Sequence, residues 1–303
     1  MHKAIQAYLA DLLPLCSKEG FQLSNEREIP YGVQLEFTFG DKTILLNVYY
    51  SEKKGISTVI NGAKDKTLKA KLESILGTPS KPETIPQHNW LHWVGSDETG
   101  KGDYFGPLIV CGFYLDKKDR DKLIKIGVCD SKKLKKDQIN EVAKQLYHEF
   151  PDNIECMVLK PSKYNELYAN FANQKKNLND LLAWCHSRIL DNIIKRHSVI
   201  EGVFIDQFST AKKASGLLKK LHPDMQIIER PDGEQDLAVA AASIIARYQL
   251  LQSFQTMNRF YKLKFPMGAG NSVKEAGKAY ISQYKKERLV EVAKLHFKTT
   301  KEF

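Results

Sequence analysis

The sequence predicts an α/β protein in two parts, a small α+β domain over residues 1–76 and a larger mixed α/β domain over residues 90–303. Three observations predict it. Two successive runs near the amino end alternate apolar and polar residues, the mark of a half-buried antiparallel sheet. Beyond residue 90, short apolar runs alternate with helical patterns, the mark of helices layered on a central sheet. Between the two lies GTPSKPETIPQHN, residues 77–89, with Gly77, Pro79, Pro82 and Pro86 and no apolar periodicity, which reads as a linker.

In the first part, Ile5, Leu9, Leu12 and Cys16 recur at helical spacing, with Pro14 as an expected kink or early stop. VQLEFTF then sets Val33, Leu35, Phe37 and Phe39 against Gln34, Glu36 and Thr38, a Gly40-Asp41 turn follows, and KTILLNVYY alternates again. ISTVI adds a strand, and Leu68, Leu72 and Ile75 form one helical stripe. In the second part the predicted order is strand (LHWVGS), strand (GPLIVCGFYL), helix, strand (IECMVL), long helix (LNDLLAWCHSRILDNIIKR), strand (VIEGVFID), helix, strand (QIIE), then helices.

Composition narrows the function. A hydrophobic content of 42% is ample for two ordinary cores. No amino-terminal leader pattern is present and the longest apolar stretch, LAVAAASIIA, is too short to span a bilayer, so a cytoplasmic location is expected. The five cysteines lie apart with no C-x-x-C pair, suggest neither a zinc site nor a disulfide framework, and read as small hydrophobes. Residues 1–90 hold 11 Lys and Arg against 10 Asp and Glu, so nearly all of the net charge of +10 lies in the larger part. That asymmetry favours a basic surface for a polyanion such as nucleic acid.

Residues 95–102, GSDETGKG, nearly match a phosphate-binding loop. The match fails at Gly102, where a magnesium-binding Ser or Thr belongs, and Asp97 and Glu98 would stand inside an anion cradle. The following DYFGPLIVCGFYL also reads as strand, whereas such a loop feeds a helix. An ATPase is therefore not expected. Asp97 and Glu98 instead end one apolar strand and Asp206 ends another, which makes them candidates for one site, although each Asp alone also suits a cap or turn. Gathered carboxylates repel unless cations lie between them. An all-oxygen set with no His or Cys at ligand spacing matches Mg2+ or Mn2+. Lys101 between Gly100 and Gly102 suits a phosphate contact as well as a plain turn, and CDSKKLKKD offers Ser131, Lys132 and Lys133 beside a solvated basic face. His148, His186, His197, His222 and His296 show no ligand spacing and read as ordinary residues.

Taken in order, DETGKGDYFGPLIV, DSKKL, VFIDQF and LAVAAASIIAR closely resemble the type 2 ribonucleases H. Lys101 with DYFGP, the extra amino-terminal residues and FPMGAGNSV resemble the ribonuclease HIII branch in particular. The resemblance implies a ribonuclease H-like mixed sheet flanked by helices, preceded by an α+β domain resembling a TATA-binding-protein half that grips the hybrid. It implies Asp97, Glu98 and Asp206 as metal-holding catalytic acids, with Asp97 bridging two Mg2+ or Mn2+ ions. It places the Gly100-Lys101-Gly102 backbone against a 2′-hydroxyl and Lys132 on a phosphate.

The implied reaction is endonucleolytic cleavage of the RNA strand of RNA/DNA hybrids, leaving 3′-hydroxyl and 5′-phosphate ends; a monomer is expected, since nothing in the sequence suggests an obligate partner. A hybrid-binding protein on the same fold without catalysis is the alternative. The family's fourth acid falls, by ungapped spacing from Ser243, on Gly233. Glu234 is preferred and Asp236 is second, since Asp236 also suits a helix cap and Asp232, in Pro-Asp-Gly, suits a turn. LAVAAASIIARYQLLQSF reads first as a core helix, with Arg247 and Tyr248 as further candidates for reaching nucleic acid.

Overall fold

The computed structural model describes residues 2–51, 55–61, 65–76 and 88–303. The chain divides into two compact units, residues 1–85 and 86–303. Most of the expected linker, residues 77–87, lies outside the described residues.

The first unit is a four-stranded antiparallel sheet with two helices. Helix α1 (Lys3–Lys18) leads into β1 (Gln22–Ile29), β2 (Gly32–Phe39), β3 (Lys42–Ser51) and β4 (Gly55–Asn61), in the spatial order β1-β2-β3-β4, and α2 (Lys66–Ile75) follows. Alternation fixes the buried face. Val33, Leu35 and Phe37 stand opposite Val48, Leu46 and Ile44, and all six are buried. They share one core with Ile5, Leu9, Leu12 and Cys16 of α1 and Leu68 and Leu72 of α2. Burying each such side chain contributes roughly 1.5–3 kcal/mol. Pro14 does not end α1, which continues to Lys18. β1, QLSNEREI, is additional to the predicted strands: nearly all of it is exposed, so no apolar alternation marks it.

The second unit is built on a mixed sheet in the order β7-β6-β5-β8-β9. β5 (His92–Thr99) lies at its centre, antiparallel to β6 (Leu108–Asp116) and parallel to β8 (Gly202–Asp206); β7 (Ile154–Leu159) and β9 (Gln226–Arg230) form the edges. The helices are α3 (Arg120–Ile126), α4 (Lys136–Glu149), α5 (Pro161–Asn173), α6 (Leu178–Arg196), α7 (Lys213–Leu221), α8 (Leu237–Tyr261) and α9 (Asn271–Tyr284). One face of the sheet, through Trp93, Phe113 and Leu115, packs on α4, α8 and α9. The other, through Val94, Val110 and Val203, packs on α5, α6 and α7. This is the layered α/β arrangement that the sequence predicts.

Three details differ from the sequence reading. Helix α5, between β7 and α6, is additional to the predicted order. α8 runs for 25 residues, so it is long and apolar enough to cross a membrane by length and composition, yet Ala238 to Ala246 are all buried in the core. Cys111 and Cys156 stand directly opposite each other on β6 and β7 and are disulfide-bonded, which corrects their reading as isolated small hydrophobes. Cys16 and Cys185 are free and buried, as small hydrophobes are.

Candidate active site

Successive side chains of a strand point to opposite faces of its sheet. Along β5, Trp93 joins the core on the α8 side and Val94 the core on the α6 side. The alternation carries Asp97 to the α8 face and Glu98 to the α6 face. Their partners follow accordingly: the Ser243 hydroxyl of α8 hydrogen-bonds Asp97, and His186 Nε2 of α6 lies 3.3 Å from Glu98 Oε2. α8 comes this close because position 95 is glycine. A Cβ there would lie 2.2 Å from Val239 N and 2.3 Å from the Ala238 carbonyl carbon, a distance real atoms do not share.

Asp206 enters from the neighbouring parallel strand. Ser96 pairs with Ile205, so Asp97 and Asp206 each follow the last paired residue, at the carboxyl ends where α/β sheets hold ligands. Asp206 Oδ1 accepts from Gly233 N at 2.7 Å. Gly233 opens a short 3-10 turn, Gly233–Gln235, reached through Asp232 at φ 56°, and this turn sets Glu234 near Asp206. Asp232 is thus the turn residue its Pro-Asp-Gly setting suggested. Asp236 is the amino-terminal cap of α8: Oδ1 accepts from Ala238 N at 2.9 Å and Val239 N at 3.1 Å. Trp93 Nε1 donates to both its oxygens at 3.1 Å, and His88 Nε2 lies 3.2 Å from Oδ2. Those contacts commit Asp236 to the fold.

The acids disturb one another. Burial, then the charges of Glu98 and Asp206, push the Asp97 carboxyl well above the usual carboxylate range, against the pull of Ser243 and Glu98 N. Burial pushes Asp206 up to about 6, Gly233 N pulls it down, Glu234 and Glu98 raise it and Lys132 lowers it. Such mutual elevation marks an excess of negative charge that a cation relieves. Among the described residues no three His, Cys, Asp or Glu side chains already converge on one coordination point. Each acid has an oxygen engaged by a protein group instead: Asp97 by Glu98 N at 2.7 Å, Glu98 by His186, Asp206 by Gly233 N, and Glu234 by Lys132 Nζ at 2.5 Å. The oxygen-only donor set of Asp97, Glu98, Asp206 and Glu234 fits Mg2+ or Mn2+.

The loop after β5 supplies the remaining expected residues. Gly100 has φ +84°, and a Cβ on it would lie 2.2 Å from the Pro107 carbonyl oxygen, so the fold itself demands glycine. Gly102 is different. No heavy atom lies within 4 Å of the place its Cβ would take, so the chain leaves that side open. Lys101 Nζ donates to the Phe208 carbonyl at 3.0 Å, just beyond Asp206. Residues 103–106 are strapped from distant segments: Lys294 Nζ donates to the carbonyls of Asp103 at 2.8 Å and Gly106 at 2.7 Å, and Tyr104 N donates to the Gly268 carbonyl at 2.8 Å. Lys132 meets Glu234, while Ser131 Oγ lies 2.9 Å from Ser243 Oγ and Arg247 donates to the Ser131 carbonyl. Arg247 therefore ties DSKKL to α8. The structure also corrects one reading, because His186 is not an ordinary core histidine but contacts the candidate acid Glu98.

A family model described as ribonuclease HII matches residues 94–300. Ribonuclease HIII of Protochlamydia amoebophila is 37% identical over 211 residues, 68% of this chain and 66% of that protein. Ribonuclease HIII of Chlamydia felis is 40% identical over 211 residues, 69% of this chain and 68% of that protein. The matched segment thus spans about two thirds of the length of these relatives. The solved structure of Bst-RNase HIII in complex with Mn2+ superposes with a TM-score of 0.64 at 27% identity, covering 96% of this chain and 93% of that one. Ribonuclease H2 from Pyrococcus horikoshii, at 22% identity and a TM-score of 0.58, shares the fold over 70% of this chain and 96% of its own.

Proposed function

The chain belongs to the ribonuclease HII family and, within it, to ribonuclease HIII, and from that premise we propose that it cuts the RNA strand of RNA/DNA hybrids by metal-dependent hydrolysis, leaving 3′-hydroxyl and 5′-phosphate ends. The observation that carries the reading is the placement of Asp97 and Asp206 at the carboxyl ends of two neighbouring parallel strands, where burial first and then the charge of nearby acids, Glu98 on both of them, pushes both carboxyls above their usual range. Asp97, Glu98, Asp206 and Glu234 would hold the ions. When bound, Mg2+ or Mn2+ supplies the charge stabilisation and water activation that phosphodiester hydrolysis needs.

The chain's own groups do the rest. The open flank of Gly102 lets the backbone approach a 2′-hydroxyl, the group that separates RNA from DNA. Lys132, with 73% of its side chain exposed, is free to leave Glu234 for a backbone phosphate. Ser243 and Glu98 N hold Asp97 in place. Residues 1–76 add affinity for the hybrid. We further propose a monomer in the cytoplasm.

Cleavage of one end-labelled sequence tests this, made as RNA/DNA hybrid, RNA duplex, DNA duplex and DNA with a single ribonucleotide, each with Mg2+, Mn2+ or chelator. Metal-dependent cutting of the hybrid's RNA strand alone is expected. Asp97→Asn should abolish cutting and keep hybrid binding. Wild-type protein that binds the hybrid without cutting it would favour the catalytically inactive reading.

A further inference from the structure

Glu98 receives its nearest polar contact from below, out of the α6 face of the sheet. His186 lies near the middle of α6, within its buried stretch from Leu181 to Ile193, and is wholly buried, as is Ser96. Its Nδ1 is 2.9 Å from Ser96 Oγ and its Nε2 is 3.3 Å from Glu98 Oε2. An ionised carboxylate only accepts, so Nε2 carries a proton and donates to Glu98; in the neutral imidazole Nδ1 is then an acceptor, and the Ser96 hydroxyl donates to it.

Two further contacts connect this line to the rest of the site. The Phe208 ring stacks on the imidazole, with centroids 5.1 Å apart and planes at 19°. The Phe208 carbonyl takes the hydrogen bond from Lys101, and Phe208 follows Asp206 by two residues. One imidazole therefore abuts the strand end that carries Asp97 and Glu98 and the loop that follows Asp206. A histidine with both ring nitrogens engaged and a ring stacked on one face has no rotamer freedom left to lose, so it can hold a carboxylate in one orientation at little further entropic cost.

We infer that His186 is a positioning residue, which through the relay Ser96–His186–Glu98 fixes the Glu98 carboxylate in the orientation the site needs. The inference rests on the reading of Glu98 as a site acid. Removing a group that orients a coordinating residue typically costs about 10–100-fold in metal affinity or activity.

The test compares His186→Leu, which keeps apolar bulk and removes the donor, with His186→Gln, whose side-chain amide can donate from near the Nε2 position. Glu98→Gln and the double variant H186L/E98Q are measured beside them. Readouts are kcat and KM on the hybrid, Mn2+ affinity from electron paramagnetic resonance of the free ion, and thermal melting. We expect H186L to lower kcat and Mn2+ affinity about 10–100-fold with little change in KM, H186Q to recover most of the loss, and H186L to cost nothing more in the E98Q background.

H186L that melts like the wild type with unchanged kcat and Mn2+ affinity would overturn the inference. So would losses in H186L and H186Q that are equal and track their melting temperatures, since that is packing. Should H186L not fold, Ser96→Ala breaks the relay at its other end, and an unchanged kcat and Mn2+ affinity there would equally overturn it. The two failures separate cleanly: if E98Q itself leaves cleavage and Mn2+ binding intact, the reading of the site fails, and if E98Q is impaired while H186L is not, only the role of His186 fails.

Discussion

Lys132 and Glu234, 102 positions apart, form an ion pair with Nζ 2.5 Å from Oε1, in which the acid is nearly buried and the lysine largely exposed. Two groups assigned separate tasks, a phosphate contact and a fourth acid, thus neutralise each other. A phosphate drawing Lys132 away leaves Glu234 beside Asp206 without its counter-charge, and the demand for a cation then rises. Substrate and metal should consequently bind with positive coupling. Titrations of catalytically silent Asp97→Asn protein with hybrid, with and without Lys132→Ala, would show the metal-dependence of hybrid affinity shrinking in the double variant. Lys132→Ala should also lower the salt slope of hybrid binding by about one.

Glu234 and Asp236 should separate by phenotype. Glu234→Gln is expected to cut kcat by at least ~10-fold, in the range for groups at a metal site, with melting little changed. Asp236→Ala removes a cap and strands the Trp93 indole, at a cost of about 1–3 kcal/mol, so its principal effect should be a lower melting temperature. Steady-state kinetics and calorimetry on the two variants decide between them; the reverse pattern would make Asp236 the fourth acid.

The acid cluster predicts a pH-dependent metal effect. Asp206 is pushed up to about 6 and Asp97 lies well above its usual range. From about pH 4 to 6 the folded protein therefore retains protons that the unfolded chain, with ordinary carboxylates near ~4, has released. Stability from this source is largest below that window and falls as pH rises through it. In chelator, the wild type should lose more stability between pH 5 and pH 8 than Asp97→Asn does. Mn2+ should raise the melting temperature more at pH 8 than at pH 5, because ligand that binds only the folded state stabilises it. Melting curves at both pH values check the sign.

The two glycines of the loop should also behave differently. Gly100→Ala meets the Pro107 carbonyl at a positive φ and is expected to destabilise the protein by more than about 1 kcal/mol. Gly102→Ala has open space and should melt like the wild type while raising KM for the hybrid. Unaltered KM in Gly102→Ala would mean that the substrate backbone does not approach there.

Deletion of residues 1–80 should raise KM for the hybrid far more than it lowers kcat. Undiminished affinity in the shortened protein would remove the first unit from substrate binding.

What the sequence made legible was whatever a local pattern carries. The alternation of VQLEFTF and KTILLNVYY became two strands of the first sheet, and Asp97 and Asp206 at the ends of apolar runs became neighbours because those runs pair in parallel. β1 left no such trace, since a strand with water on nearly all of its residues needs no periodicity. Cys111 and Cys156 are joined by strand register, which spacing along the chain does not reveal. His186 was hidden for a similar reason. Within LLAWCHS it looks like one more core residue, and its meaning comes from the two-residue alternation of a strand some 90 positions away in sequence.

The strap on residues 103–106 reaches across 191 positions, from Lys294 to Asp103. Translation therefore delivers the loop after β5 early and its brace late. The loop that follows Asp97 and Glu98 has no Lys294 to hold its carbonyls until 188 residues beyond Gly106 have been joined. The carbonyls of Asp103 and Gly106 are thus tied down only after every strand of the central sheet has been made, and the order of synthesis sets when this loop is fixed.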